Sequence, residues 1–238
     1  MTKLSIESDR LYATTTADAP GTVRALVLEV VQPTGWDALS PLWQGVQAEL
    51  ELPAPAIAVS GVDAIQLWFS LAAPVADARA HEFLEALRQR FLPDVPPARV
   101  RLWPDPARRG PGPLRIPTLF TDTGNWSAFV APDLIAVFSD TPWLDIQPGD
   151  DGQSALLRGL RSITPTQFDE ALARLHADAS ARDAQAPAPA AALAPARENV
   201  ASPVAAEDDP RRFLLRVMND ERVDLALRIE AAKTLLPR

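Results

Sequence analysis

Cysteine is absent from this chain of 238 residues. Its absence excludes disulfide bonds, a thiol nucleophile and a zinc or iron–sulfur centre held by cysteine. Lysine is scarce as well, because only Lys3 and Lys233 are found among 23 basic residues. No apolar run approaches the roughly 18 residues that a membrane span requires, and the first residues lack the apolar stretch of a signal peptide. We therefore expect a soluble, cytoplasmic protein without a membrane partner.

The net charge of −8 argues against a surface that binds phosphate over its whole extent. The charges are nevertheless unevenly distributed. Residues 116–157 carry six aspartates and neither lysine nor arginine, whereas residues 99–115 carry one acid, Asp105, against five arginines. The five are candidate nucleic-acid-binding residues: Arg99, Arg101, Arg108, Arg109 and Arg115. A solvated loop is the alternative interpretation of the same cluster.

A segment rich in alanine and proline, residues 179–209, divides the chain. It contains no aromatic residue, so it buries too little apolar surface to offset the entropy of ordering, and we expect a disordered, semi-rigid linker. A main domain precedes it at residues 1–178, and a C-terminal module follows at residues 210–238. Asp209 and Asp224 can each cap a short amphipathic helix, which predicts a helical hairpin that must dock on something to be stable.

Apolar periodicity predicts alternating strands and helices in the main domain. Strands are expected at residues 23–31, 56–61, 64–71, 99–104, 126–130 and 134–138. Helices are expected at residues 36–50 and 78–91, and a third begins at Thr164–Pro165 and extends to about residue 177. The order β-α-β-β-α-β predicts an α+β fold, with a mostly antiparallel sheet and its helices packed on one face.

Several short segments resemble the archaeo-eukaryotic primase superfamily, including the primase–polymerase domains of plasmids and phages. They are "RALVLEVV", "PAIAVSG" leading into "IQLWFSL", "ARAHEFLEALRQRF" and "RVRLWPDPARRGPGPLRIP", and together they cover about residues 23–120. The resemblance implies an RRM-like core. It also implies an enzyme that copies nucleic acid with divalent metals held by carboxylates at the end of the first strand.

The family's functional positions are altered in this chain. Its two aspartates, one residue apart, correspond to Glu29 and Val31, and valine offers no oxygen ligand. Its phosphate-contacting histidine corresponds to Gln66, and its basic position corresponds to Asp105, which has the opposite charge. Glu29 then belongs either to a metal site that has lost half of its ligands or to a strand that never bound metal. Either way, we expect no bound metal, no cofactor and no catalytic residue.

The C-terminal module is similar to a helical segment of phage DNA-packaging proteins of the terminase small-subunit type. The similarity rests on "FLLRVMND" and "RIEAAKTLLPR". It implies a hairpin that contacts DNA, with Arg211 and Arg212 as candidate phosphate ligands, or one that forms homo-oligomers. A helical tail packed on its own domain is the alternative.

The sequence as a whole favours a non-catalytic phage or mobile-element protein that binds nucleic acid or a replication or packaging partner. Two alternatives remain. One is a residually active, metal-dependent nucleotidyltransferase that uses Glu29 with an unrecognised acid. The other is an assembly module with no nucleic-acid role, which the negative net charge favours.

Overall fold

The computed structural model of the chain describes residues 1–13, 20–107 and 114–185. In these ranges the α-helices are Lys3–Tyr12 (α1), Trp36–Ala48 (α2), Asp77–Phe91 (α3), Asp150–Arg158 (α4) and Pro165–Gln185 (α5). The strands are Thr22–Val31 (β1), Ala56–Val59 (β2), Ala64–Ala76 (β3), Val100–Trp103 (β4), Leu119–Phe120 (β5), Asn125–Trp126 (β6) and Ala128–Val130 (β7). The predicted α+β class is confirmed.

One five-stranded antiparallel sheet organises the domain, with the strand order β4-β1-β3-β2-β7. The strands β1 to β4 and the helices α2 and α3 alternate along the chain as β-α-β-β-α-β, as predicted. In this split β-α-β arrangement the first and third strands are central. The strand β1 therefore has a hydrogen-bonded neighbour on each side.

One face of the sheet, the packed face, carries the main hydrophobic core. Successive side chains of a strand point to opposite faces, so Leu26, Leu28 and Val30 of β1 share this face with Leu67 and Phe69 of β3. Buried side chains of α2, α3 and α5 cover it, and all three helices follow the spacing that places apolar residues on one side. Phe83 of α3 packs between Phe69 and Phe168, with ring centroids 6.1 Å and 4.9 Å apart.

The other face, the cavity face, is partly covered by α1 and α4. Leu4 and Leu11 of α1 and Leu157 of α4 pack there with Val27 and Phe129 in a second apolar cluster. The prediction that helices pack on one face only is therefore wrong. Apolar periodicity does not predict these two helices, because both are short and α1 buries only Leu4 and Leu11.

Two further boundaries differ from the predictions. Residues 134–138, predicted as a strand, contain a 3₁₀ helix at Ile135–Phe138, in which Ile135 alone is buried. The helix α5 continues to Gln185, so residues 179–185 of the predicted linker are helical. Alanine is the best helix former, and the run "ADASARDAQ" contains no proline before Pro187 to end the helix.

The start of α5 follows the prediction. The Thr164 hydroxyl accepts from the Gln167 backbone N–H at 3.3 Å, and the Gln167 side chain accepts from the Thr164 N–H at 3.0 Å, which forms a capping box. The rest of the predicted linker and the predicted hairpin at residues 210–238 lie outside the described residues. In the part of the chain that the structure describes, every helix is too short or too polar to span a membrane.

Candidate functional site

A row of polar side chains crosses the cavity face through Glu29 of β1. The register places Glu29 opposite Gln66 of β3 on one side and opposite Arg101 of β4 on the other. Residues directly opposite each other in an antiparallel pair lie on the same face, so the three side chains meet there. Two of the four altered motif positions, Glu29 and Gln66, are thus brought together by the sheet.

The Arg101 guanidinium bridges two carboxylates. Its Nη1 donates to Glu29 Oε1 at 2.5 Å, and its Nη2 donates to Asp63 Oδ2 at 3.1 Å. The Glu29 side chain is only 14% exposed, whereas Asp63 and Arg101 are 39% and 47% exposed. Hydrogen bonds with Asp63 and then Glu29 raise the pKa of Arg101, so its positive charge is permanent. We refer to Glu29, Arg101 and Asp63 as the Arg101 bridge.

The Gln66 amide completes the hydrogen bonding of Glu29. Its Nε2 donates to Glu29 Oε2 at 2.6 Å, while its Oε1 accepts from the Trp68 indole N–H at 2.9 Å. Both oxygens of Glu29 therefore have a donor, one cationic and one neutral. Val31, two residues along β1, pairs with Ala64 and adds no polar group to the row.

Asp63 is held in place by the turn between β2 and β3. The Ser60 hydroxyl accepts from the backbone N–H groups of Val62, Asp63 and Ala64 at 2.9–3.1 Å. Gly61 has a φ of +85°, and a Cβ at this position would lie 2.8 Å from the Ser127 backbone nitrogen. Only glycine fits such a position, so the turn that presents Asp63 is fixed by sequence.

Asp63 is not among the candidate site residues predicted from the sequence. The sequence does contain a feature that points to Asp63. Its carboxylate belongs to a tight turn next to the strand of Gln66, so it must lie at the end of that strand. Its position beside Arg101 depends on the order of the strands, however, and this order does not follow from local sequence.

The Arg101 bridge forms one wall of a cavity of about 420 Å³ on the cavity face, which we call the Glu29 cavity. Apolar side chains form much of the remaining wall. They are Val27, Val62, Leu102, Trp103, Leu114, Ile116 and Phe120. The cavity therefore combines hydrogen-bonding groups on the sheet with an aromatic and aliphatic surround, a combination typical of binding sites.

The described arginines of the predicted basic patch all have acceptors. Arg99 donates to the backbone carbonyl of Gln32, and Arg115, with a side chain 79% exposed, forms an ion pair with Asp9 at 3.0 Å. Arg101 is engaged in the bridge. The other four candidates, Arg108, Arg109, Arg211 and Arg212, lie outside the described residues.

Asp105 is not brought to Glu29. Its Oδ1 accepts from the Ala107 N–H at 2.9 Å. It lines a smaller cavity of about 190 Å³, which it shares with His81, Glu85 and Arg88 of α3. The altered motif positions thus divide into a hydrogen-bonded pair, Glu29 and Gln66, and two that stand apart from that pair, Val31 and Asp105.

A metal ion has no evident place in this arrangement. Among the described residues, no group of three histidine, aspartate or glutamate side chains is close enough to hold one. The two acids among the described residues that line the Glu29 cavity are Glu29 and Asp63, and both are already neutralised in part by Arg101. The described residues of the site can donate and accept hydrogen bonds.

Comparison with known proteins adds no family assignment. No protein-family model matches the chain, and no curated protein matches it either.

Proposed function

We propose that this chain is a non-catalytic relative of the primase–polymerase domains, of phage or mobile-element origin, that binds nucleic acid or a replication or packaging partner. The Arg101 bridge carries the proposal. In the enzymes, carboxylates at the end of the corresponding strand hold divalent metals. Here the guanidinium lies between the two carboxylates, 2.5 Å from Glu29 and 3.1 Å from Asp63, and supplies a permanent positive charge in their place.

The sheet topology supports the primase-like core. The order β4-β1-β3-β2, with α2 and α3 on the packed face, is the arrangement expected of an RRM-like domain. Glu29 lies on the face opposite those two helices, where such domains bind their ligands. The phage or mobile-element origin is supported only by the two sequence resemblances.

An assembly module without a nucleic-acid role is the second candidate. One observation favours it: Arg101 and Arg115 form ion pairs within the protein, and Arg99 donates to a backbone carbonyl, so all three already have acceptors. Phosphate binding would then depend on Arg108, Arg109, Arg211 and Arg212. In the sequence, Arg108 and Arg109 come between Trp103 and Leu114, both of which line the Glu29 cavity.

A salt series decides between the two candidates. Binding of a fluorescently labelled single-stranded DNA should weaken with salt, because each phosphate contact contributes about −0.7 to the slope of log K against log salt. We expect Arg108→Ala/Arg109→Ala and Arg211→Ala/Arg212→Ala each to reduce the magnitude of that slope. The matched control, Arg79→Ala/Arg174→Ala, removes two charges that pair with Asp169 and Glu51 and should leave the slope unchanged.

The outcomes are distinct. No binding by the intact chain even at low salt supports the assembly module. Binding that both double variants leave unchanged places the contact elsewhere and rejects the arginine assignment.

A separate assay for template-dependent nucleotide incorporation with Mg²⁺ or Mn²⁺ tests the enzyme alternative. Incorporation that Glu29→Ala abolishes would reject the non-catalytic proposal.

A further inference from the structure

A second cavity on the cavity face lies beneath α1. Its volume is about 350 Å³, and we call it the Tyr12 cavity. It adjoins the Glu29 cavity, because Trp103 and Ile116 line both. The volume falls within the range of roughly 300–1,000 Å³ that small-molecule sites occupy in proteins. The proposed function makes no use of this cavity.

Four aromatic residues line the Tyr12 cavity. Tyr12 makes an edge contact with Trp68, with ring centroids 5.3 Å apart, and stacks against Phe129 at 6.3 Å. Leu4 and Trp103 extend the apolar surface. Edge and offset-stacked geometries are those in which aromatic rings attract one another, so a further flat ring gains the same contacts here.

The two charged side chains that line the Tyr12 cavity have opposite charges and form an ion pair. They are Asp9 of α1 and Arg115, whose Nη2 lies 3.0 Å from Asp9 Oδ1. An ionised ligand would have to compete with this pair and lose its own hydration. The remaining polar lining consists of the Thr2, Ser5, Ser8 and Tyr12 hydroxyls and backbone groups, which favours an uncharged ligand.

The Tyr12 hydroxyl indicates which kind of polar group a ligand of this cavity would carry. This oxygen is buried and has no hydrogen-bond partner among the described residues. Burial also raises the pKa of Tyr12, so the group remains a neutral O–H that can donate or accept. Buried hydroxyls without a partner are rare in proteins, because they forgo the hydrogen bonds they make in water. A ligand that reaches this oxygen would therefore gain an unopposed hydrogen bond.

We propose that the Tyr12 cavity binds a small, uncharged aromatic molecule that carries one hydrogen-bonding group. Its ring lies against Trp68, Trp103 and Phe129, and its polar group meets the Tyr12 hydroxyl. The site is separate from the Arg101 bridge, and it does not depend on whether the chain binds nucleic acid.

Phenol and toluene are suitable probes, because they have nearly the same shape and differ in one hydroxyl. Amide and indole N–H spectra of the ¹⁵N-labelled full chain provide the readout. Phenol should move the indole N–H signals of Trp68 and Trp103. The signals of Trp36 and Trp43 should stay in place, because both residues pack against the core of the opposite sheet face. Benzoate, the charged analogue, should bind at least several-fold more weakly than phenol.

Two variants test the assignment. Tyr12→Phe removes only the hydroxyl, so phenol should bind about 3- to 10-fold more weakly while toluene binding is unchanged, as expected for one neutral hydrogen bond. Ala25→Leu fills the cavity from β1, where Ala25 is one of the lining residues, and should abolish binding of both probes. The control Val62→Ala changes the Glu29 cavity only and should bind both probes normally.

The proposal fails if phenol leaves Trp68 and Trp103 unmoved at millimolar concentration, or if it moves all the tryptophan signals equally. It also fails if Ala25→Leu, shown to be folded by its amide spectrum, still binds. Equal weakening of phenol and toluene by Tyr12→Phe would reject the role of the hydroxyl.

Discussion

The two faces of the sheet are built from the same strands, yet they differ in packing and polarity. On the packed face, Leu26, Leu28, Phe69 and Phe83 are at most 1% exposed, and aromatic rings of β3, α3 and α5 pack against one another. On the cavity face, two cavities of about 420 and 350 Å³ adjoin a row of charged and amide side chains. Period-two alternation alone separates these two environments.

The difference indicates a division of labour. Burial of apolar surface, at about 25 cal/mol per Å², is concentrated on the packed face, which therefore supplies much of the folding free energy. The strands it stabilises hold Glu29, Gln66 and Arg101 in register on the reverse side. Side chains placed on strands in this way are positioned more accurately than side chains on loops, which suits a binding site.

Truncation of one phenylalanine on each face gives the largest expected effects. Phe83→Ala on the packed face should reduce the free energy of unfolding by about 3–5 kcal/mol, because it opens a new void among Phe69, Phe168 and their neighbours. Phe129→Ala enlarges an existing cavity and should cost about 1 kcal/mol less. Urea unfolding followed by circular dichroism measures both. An equal or larger loss for Phe129→Ala would contradict the contrast between the faces.

Removal of the bridging cation should have an intermediate effect. Arg101→Met leaves Glu29 and Asp63 side by side without a cation. We expect a loss of about 1–2 kcal/mol, a range that allows for solvent screening at the more exposed Asp63. Millimolar Mg²⁺ should recover part of the loss in the variant and should leave the melting temperature of the wild type unchanged.

The control for this prediction is Arg115→Met, which breaks the ion pair with Asp9. The Arg115 side chain is 79% exposed. It should cost less than about 0.5 kcal/mol and gain nothing from Mg²⁺. Equal responses of the two variants to Mg²⁺ would show that the Arg101 bridge has no special relation to a cation site.

Substitution of Tyr12, the chain's only tyrosine, should have the smallest effect on stability. The same residue also allows a test by pH. Tyr12→Phe removes a buried hydroxyl without a partner and should be neutral or stabilising, by up to about 1 kcal/mol. Burial raises the pKa of Tyr12 above that of the unfolded chain. Above a pH of about 10 the unfolded state loses this proton and the folded state keeps it, so stability falls as the pH rises.

Melting temperatures of the wild type and Tyr12→Phe between neutral and alkaline pH measure this effect. The wild type should lose an increment of stability above a pH of about 10 that the variant does not lose. Parallel curves would show that Tyr12 is accessible to solvent in the folded protein.

Local sequence was sufficient for the central elements and insufficient for the periphery. The strand β1 and the hairpin of β2 and β3 were predicted because apolar residues with glycine at the turn leave little alternative. The helix α1 was missed, since its stability depends on contact with the cavity face rather than on an apolar stripe of its own. The 3₁₀ helix Ile135–Phe138 was mistaken for a strand because a short apolar run fits both.

The candidate site shows the same limit. The resemblance draws attention to Glu29 and Gln66, which the sheet places side by side. It does not indicate that Arg101 pairs with Glu29, because Arg101 lies 72 residues from Glu29 along the chain and is brought there by strand order. Arg101 was predicted as a phosphate ligand, a role that stays untested, whereas its observed partners are two carboxylates.

Titration of Mn²⁺ into the intact chain, followed by calorimetry, tests most directly our proposal that the Arg101 guanidinium stands where primase–polymerases bind metal. Arg101 remains protonated at neutral pH and repels a second cation, so we predict no binding tighter than about millimolar. Binding in the micromolar range that Glu29→Gln abolishes would contradict the account, because it would mean that Glu29 still serves a metal site.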